Sequence, residues 1–335
     1  MQTGRPRHVA TPRRQTYRQL MPTPRLAVLS VTLAVAAVTA FAQTSGTWTR
    51  VADMPTARAA HAVAATPDAI YVLAGTGPDG KPVVTVDRFD GKIWTTEGNI
   101  PGEGLNAPAA AAIGNTVYLI GGFGTTTNLP RTAVHKYETN SKSWSEAAPL
   151  PAPRGGHAAV VLDGRIHVIG GGNSQSTIDD HTVYDPKTNT WSAKAKLPRS
   201  MGSPAAVAVN GKLYSIGGRS GPGDFGDVHV YDPKADGWTT GPSIEPRGTG
   251  GAALIGNNIY YFGGESQKAR KVLGDVLRLD PAEGKWTAAT PMPTPRNFAR
   301  TVMFKGAAVV IGGSTEYGSS HASRGSTIVE RFSLR

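Results

Sequence analysis

The chain has 335 residues, including 41 Gly and 25 Pro, and 18% of its residues are charged while 39% are hydrophobic. This composition excludes bulk disorder and favours one large all-β domain. The absence of cysteine excludes disulfides, thiolate metal sites and a cysteine nucleophile.

The net charge of +11 is unevenly distributed along the chain. Residues 1–42 hold six arginines and no acid, which leaves 29 of the 35 basic residues against 24 acidic ones, or +5, for the rest. A large basic excess spread over a domain would favour nucleic acid or anionic membrane as a partner. An excess of this small size does not, so we expect no nucleic-acid partner.

Residues 1–42 are typical of a Sec-type signal peptide. The arginines precede an apolar run over 26–42, and this run ends in Ala-Phe-Ala before Gln43. We therefore expect cleavage near Gln43, export to the periplasm or the exterior, and no stable membrane insertion afterwards. Two alternatives stay open, namely a start at Met21 and retention of the apolar run as an anchor.

Residues 45–52 are predicted as a strand without a sheet of its own. Their sequence, Ser-Gly-Thr-Trp-Thr-Arg-Val-Ala, carries Trp48 in the pattern that later closes each repeat. This strand therefore needs a partner from elsewhere in the chain.

Residues 45–335 contain six units of about 48 residues, which shows an internal repeat. Tryptophan recurs in register, and a glycine doublet recurs after an apolar run, with Ala74-Gly75 as its first, degenerate copy. The tryptophans are Trp48, Trp94, Trp144, Trp191, Trp238 and Trp286. The complete doublets are Gly121-Gly122, Gly170-Gly171, Gly217-Gly218, Gly263-Gly264 and Gly312-Gly313.

One unit, residues 154–198, illustrates what each part predicts. An apolar run over 154–162 meets the hairpin signal Asp163-Gly164, and an alternating strand over 165–171 ends in the doublet. A third strand over 181–186 and a fourth over 190–192 follow after turns. Each unit is therefore predicted as a four-stranded antiparallel sheet.

The glycine doublet, the Tyr-Asp-Pro turn and the following Trp together resemble the kelch repeat. The resemblance covers residues 45–335 and implies an all-β, six-bladed propeller, in which neighbouring blades bury one another's faces. The first unit departs from the pattern, with Ala74 in the doublet and Phe89-Asp90-Gly91 at the turn.

The ends of the chain predict how the ring closes. Residues 329–335 match the third strand of the sixth unit, and no Trp-bearing fourth strand follows them. We expect the strand around Trp48 to pair there, which makes residues 43–335 one closed propeller without an open edge.

The kelch resemblance implies that two loop sets face the same end of the channel, one leading into the innermost strand and one following each doublet. Arginines in these loops predict a cationic mouth for an acidic or glycan-like ligand or a protein, because guanidinium binds carboxylates bidentately. The alternative is that these arginines pack within the blades. The predicted ligand-binding residues are Arg58, Arg154, Arg199, Arg219, Arg247, Arg296 and Asn173.

The loop after the fifth doublet carries Glu265 and Arg270. It is similar to the sialic-acid epimerase branch of periplasmic kelch propellers, in which such a pair is implicated in catalysis. The resemblance implies Glu265 as a general base and Arg270 as an anchor for the substrate carboxylate. A solvated loop of charged residues is the alternative.

No cofactor and no metal are expected. The galactose oxidase branch of kelch proteins requires a cysteine, which this chain lacks, and its eight histidines show no close pair at metal-ligand spacing. The first hypothesis is therefore a monomeric, non-enzymatic binding propeller of the bacterial envelope or exterior. A sugar isomerase or mutarotase is the second, and a scaffold that uses the blade edges is the third.

Overall fold

The computed structural model describes residues 46–221, 223–318 and 324–334, and within them all regular structure is β. The predicted signal peptide, residues 1–42, lies outside the described residues. Six antiparallel sheets of four strands follow one another along the chain, as predicted. Their first strands pack side by side around a central channel, so the six sheets are the blades of a propeller.

The strand bounds follow the repeat. In order from the channel outward, blades 1 and 2 contain Ala62–Ala65, Ile70–Leu73, Thr85–Phe89 and Trp94–Asn99, then Ala109–Ile113, Thr116–Ile120, Val134–Glu138 and Ser143–Glu146. Blades 3 and 4 contain Ala158–Leu162, Arg165–Ile169, His181–Asp185 and Thr190–Lys194, then Ala205–Val209, Lys212–Ile216, Val228–Asp232 and Gly237–Thr240. Blades 5 and 6 contain Gly251–Ile255, Asn258–Phe262, Val276–Asp280 and Lys285–Ala289, then Arg300–Phe304, Ala307–Ile311, Val329–Leu334 and Gly46–Arg50.

The ring closes as the sequence predicts. The strand Gly46–Arg50 pairs antiparallel with Val329–Leu334, and Trp48 lies directly opposite Phe332. Their rings pack at 5.0 Å, and the indole N–H of Trp48 donates to the carbonyl of Thr290 in blade 5. The two chain ends therefore complete blade 6 and dock it against its neighbour.

The outer aromatic residues join the blades in the same way elsewhere. In blades 3 and 4 the Tyr of the third strand lies opposite the Trp of the fourth, with ring centroids 5.1 Å apart. The indole N–H of Trp191 donates to Ala148, and that of Trp238 donates to Ala195, each across the boundary with the preceding blade. Each aromatic pair thus buries apolar area and satisfies its polar atom.

The glycine doublets connect each blade to the next one. The N–H of the second glycine donates to a carbonyl of the following blade, as from Gly264 to Arg296 at 3.0 Å. The first glycine has a positive φ and lies so close that a Cβ on Gly263 would be 2.8 Å from that same carbonyl oxygen. Only glycine fits this approach without strain, although Ala74 adopts the same conformation in blade 1, at φ +58°.

Candidate functional site

One mouth of the channel is built from two loop sets that meet once per blade. We call the loop that leads into the first strand the inner loop, and the loop after the doublet the post-doublet loop. In each blade, one residue of the inner loop forms an antiparallel backbone pair with the residue directly after the doublet. Both loop sets therefore lie at the same end of the channel, as predicted. The six pairs are Ala59 with Thr76, Asn106 with Phe123, Gly155 with Gly172, Gly202 with Arg219, Gly248 with Glu265, and Asn297 with Ser314.

A ring of six backbone hydrogen bonds forms the floor of the mouth. In each inner loop, the residue that directly follows the paired residue donates its N–H to the carbonyl of the equivalent residue in the preceding blade. These six N–H···O distances are 2.6–3.4 Å. All six residues have φ between +49° and +62°, although only one is glycine, so this floor holds the backbone in a strained conformation. The ring residues are Ala60, Ala107, Gly156, Ser203, Thr249 and Phe298.

A cavity of about 390 Å³ lies on this floor and opens to solvent. Ring residues form its base, and the post-doublet loops of blades 3 to 6 form much of its wall. Cavities that bind small ligands in proteins commonly range from about 300 to 1,000 Å³. The mouth is therefore large enough to enclose a small molecule or a single side group of a larger one.

Glu265 is a buried side chain in the wall of this cavity. Its side chain is 1% exposed, its Oε1 accepts a hydrogen bond from Arg219 at 2.8 Å, and its Oε2 accepts one from the Asn297 amide at 2.6 Å. The N–H of Gly318 reaches Oε2 at 3.4 Å. Blades 4, 5 and 6 thus hold one carboxylate in a fixed orientation at the edge of the cavity.

Aromatic side chains surround this polar cluster. The guanidinium of Arg219 lies 4.9 Å from the centre of the Phe298 ring, in the range of a cation–π contact. Phe123 and Tyr317 also line the cavity, and the Tyr317 hydroxyl donates to the carbonyl of Gln267. The mouth therefore combines flat apolar faces with hydrogen-bonding groups.

The structure does not bring Glu265 and Arg270 together. Glu265 pairs with Val272 at the base of a short hairpin, Glu265–Ser266 with Lys271–Val272, and Arg270 lies exposed in its turn. The cation beside the carboxylate is Arg219, from the preceding blade. Asn173 does not line the cavity either, since its Oδ1 accepts from the N–H groups of Gln175 and Ser176 in its own turn.

The arginines of the inner loops do not form the expected cationic ring. Four of them are buried within the blades, where each pairs with a carboxylate and lies away from the cavity. Burial lowers the pKa of Arg58 and of Arg296 to about 10, so both remain charged at neutral pH. The four pairs are Arg58 with Asp87, Arg154 with Asp180, Arg247 with Asp275, and Arg296 with Glu330.

Arg199 occupies a different place from these four. In blade 4, the position equivalent to the four buried arginines is Met201, because its carbonyl accepts the hydrogen bond from the second doublet glycine, Gly171. Arg199 lies two residues before this position. The Arg199 side chain is 51% exposed and pairs with Asp227 at 2.9 Å, with its guanidinium over the Phe225 ring. Of the predicted ligand-binding residues, the cavity contains only Arg219.

Sequence reasoning missed Asn297 and Phe298. Both follow Arg296 directly, and Arg296 is the only residue of this inner loop that the sequence predicted to bind a ligand. An alignment of the six units would have identified both residues. It places Asn297 at the same position as Ala59 and Asn106, beside the channel, and Phe298 one residue further along the chain. In four other blades that next position holds Ala, Gly or Ser, so a bulky Phe298 stands out there.

Within 46–221, 223–318 and 324–334, no group of three or more His, Asp or Glu is arranged to hold a metal ion. The same part of the chain contains no apolar helix of membrane-spanning length.

Comparison with known proteins identifies relatives of the repeat. The family described as the KLHDC2/KLHL20/DRC7 Kelch-repeats domain matches residues 34–204 and 192–313. Kelch-like protein 35 of Mus musculus is 31% identical over 148 residues, or 40% of this chain and 23% of that protein. Beta-scruin of Limulus polyphemus is 28% identical over 152 residues, or 42% of this chain and 16% of that protein. The matched part is thus less than a quarter of either relative's length.

A solved structure shows the same fold. The protein described as "Structure of YjhT" superposes with a TM-score of 0.72, covering 83% of this chain and 95% of the other. The two sequences are 19% identical, so the likeness concerns the fold alone.

Proposed function

This chain belongs to the kelch-repeat family, and from the mouth of its propeller we infer that it is a binding protein for a neutral, polyhydroxylated ligand, such as a sugar unit of a glycan. The observation that carries the proposal is the cluster of Glu265, Arg219 and Asn297 at the edge of the 390 Å³ cavity. This cluster takes the place of the cationic ring that the sequence suggested.

Charge favours a neutral ligand over an acidic one. Arg219 and Glu265 neutralise each other at 2.8 Å, and the four inner-loop arginines are neutralised inside the blades. An acidic ligand would have to compete with Glu265 for Arg219 and would meet the carboxylate at close range. A hydroxyl group has no such conflict, because it both donates and accepts hydrogen bonds.

The shape and polarity of the cavity also suit a sugar. The paired guanidinium and carboxylate offer adjacent donors and acceptors, which match neighbouring hydroxyl groups on a ring. Phe123 and Phe298 line the cavity and supply apolar ring surface for contact with the C–H groups of such a ring. A binding site with a few placed polar groups among aromatic ones is typical for small ligands.

The test is a binding screen of the full chain against neutral sugars and sugar acids by saturation-transfer NMR, with dissociation constants from titration. We expect a neutral sugar to bind, and E265Q and R219M each to weaken it at least about tenfold, the loss of one charged hydrogen bond. R270M is the matched control and should bind like the wild type. Binding of sugar acids alone, or of no sugar at all, would contradict the proposal and favour an acidic or protein partner.

A second candidate function is a sugar isomerase or mutarotase. It is supported by the same Glu265, a buried carboxylate at a cavity, which is the placement of a general base. In this alternative Arg219 takes the role that the sequence suggested for Arg270. Anomer exchange measured by NMR separates the two functions, since a mutarotase accelerates exchange in the wild type and loses this activity in E265Q, whereas a binding protein leaves the exchange rate unchanged.

Export and a monomeric state remain part of the proposal. The leader over residues 1–42 predicts that the protein works in the periplasm or outside the cell. N-terminal sequencing of the protein recovered from that compartment should find a first residue near Gln43. Recovery of the intact leader would instead favour a retained anchor.

A further inference from the structure

Below the floor of the mouth, the central channel is lined by small and apolar residues of the six first strands. A cavity of about 100 Å³ lies just beneath the floor, and a wider one of about 390 Å³ continues toward the opposite end. Alanine, valine and glycine form most of both linings. Arg300 is the only Asp, Glu, Lys or Arg among the described residues that line them.

Arg300 lies in this channel without a carboxylate. Its Nε donates to the carbonyl of His61 at 2.9 Å, and within the described ranges its other two nitrogens have no hydrogen-bond partner. All 24 acidic residues of the chain lie within those ranges, and none forms an ion pair with Arg300. The four buried arginines of the inner loops, by contrast, each have such a partner.

The charge on Arg300 persists at neutral pH. Burial lowers the pKa of its guanidinium to about 10, which leaves the group protonated in ordinary buffers. His157, which lines the same cavity, is neutral because burial lowers its pKa to about 3. A lone cation in an apolar channel is unfavourable unless a counter-charge accompanies it.

We propose that the small cavity is an anion site, in which the Arg300 guanidinium and the Thr301 hydroxyl bind a small monovalent inorganic anion such as chloride. Thr301 lines this cavity, and its Oγ1 is buried without a hydrogen-bond partner among the residues that the structure describes. A volume of about 100 Å³ is sufficient for a halide with some water. The site is separate from the mouth and does not depend on the proposed function.

A bromide soak tests the location directly. Crystals of the full chain, soaked in sodium bromide, should show an anomalous peak within about 4 Å of the Arg300 guanidinium. We expect the peak to vanish in R300M. Absence of a peak in wild-type crystals at high bromide would overturn the proposal, whether or not the variant folds.

Thermal unfolding tests whether the anion is bound in solution. Adding chloride to protein in sodium gluconate, at constant ionic strength, should raise the wild-type Tm by about 2 °C or more and then saturate, because the ligand binds the folded state. R300M should lose this response, whereas R165M, which removes an exposed arginine, should keep it. An equal chloride response in wild type and R300M would contradict a specific site.

Discussion

The half of the mouth built by blades 4 to 6 differs sharply from the half built by blades 1 to 3. The residue after the doublet is Arg219, Glu265 or Ser314 in the first half, and Thr76, Phe123 or Gly172 in the second. The backbone at these six positions pairs in the same way. The difference teaches that the propeller keeps a constant backbone frame and varies one side chain per blade at the mouth, which is where we propose that a ligand is recognised.

The buried arginine–carboxylate pairs provide the strongest test that the blades of both halves have the same backbone frame. R58M in blade 1 and R296M in blade 6 should each lower the free energy of unfolding by about 3–5 kcal/mol, because Asp87 or Glu330 is left buried without its cation. Urea or thermal unfolding measures the change. R199M is the matched control, and removal of its half-exposed pair should cost at most about 1 kcal/mol. A large loss in one half only would show that the frame is not shared.

The glycine contacts between blades should be the next most sensitive feature. G121A in blade 2 and G263A in blade 5 would each place a Cβ 2.6–2.8 Å from a carbonyl oxygen of the following blade. We expect each to destabilise the protein by about 2–4 kcal/mol, from strain at positive φ together with overpacking. G164A is the control, since its φ is also positive but its Cβ would meet nothing within 4 Å, and it should cost about 1 kcal/mol. Equal losses in all three would rule out the clash as the cause.

The boundary between the two halves contains a pH-sensitive pair. His167 and His181 lie in blade 3 with ring nitrogens 2.9 Å apart, and His181 packs edge-on against Tyr231 of blade 4. Burial lowers the pKa of His167 to about 4 and that of His181 to about 3, from 6.5.

The unfolded chain takes up these two protons near pH 6.5, whereas the folded chain does not. The contribution of the neutral histidine pair to the free energy of unfolding is therefore fully present above pH 6.5. It should fall by about 2 kcal/mol or more as the pH drops from 6.5 toward 4. Unfolding measured across this range should give a steep profile for the wild type and a flatter one for H181Q. Identical profiles would assign the acid sensitivity to other groups.

The smallest expected effect concerns blade 1, where the doublet begins with alanine. Ala74 has φ +58°, a conformation that favours glycine, so A74G should raise the free energy of unfolding by about 1 kcal/mol. A65G, within the first strand of the same blade, should lower it by about 0.5–1 kcal/mol. A loss of stability in A74G would indicate that the alanine methyl contributes more by packing than it costs by strain.

The sequence predicted the architecture far better than the site. Regular tryptophans and doublets identify six blades, and the unpaired strand around Trp48 identifies the closure, because these features depend on local pattern and on strand count. Arg219 was predicted near the ligand, whereas Arg270 was paired with Glu265 because the loop that contains both is similar to one in the sialic-acid epimerase branch. The hairpin that separates Arg270 from Glu265 turns its side chain to solvent.

By itself, then, the sequence determined the repeat, the number of blades and the strand that completes the ring, since each of these is written in the spacing of residues along one chain. Only the tertiary structure decided which arginines are buried and which one reaches the mouth. A shift of one residue in an inner loop separates Arg296, inside a blade, from Asn297, at the carboxylate of Glu265. That choice depends on contacts between blades, which lie far apart in sequence and follow no local pattern.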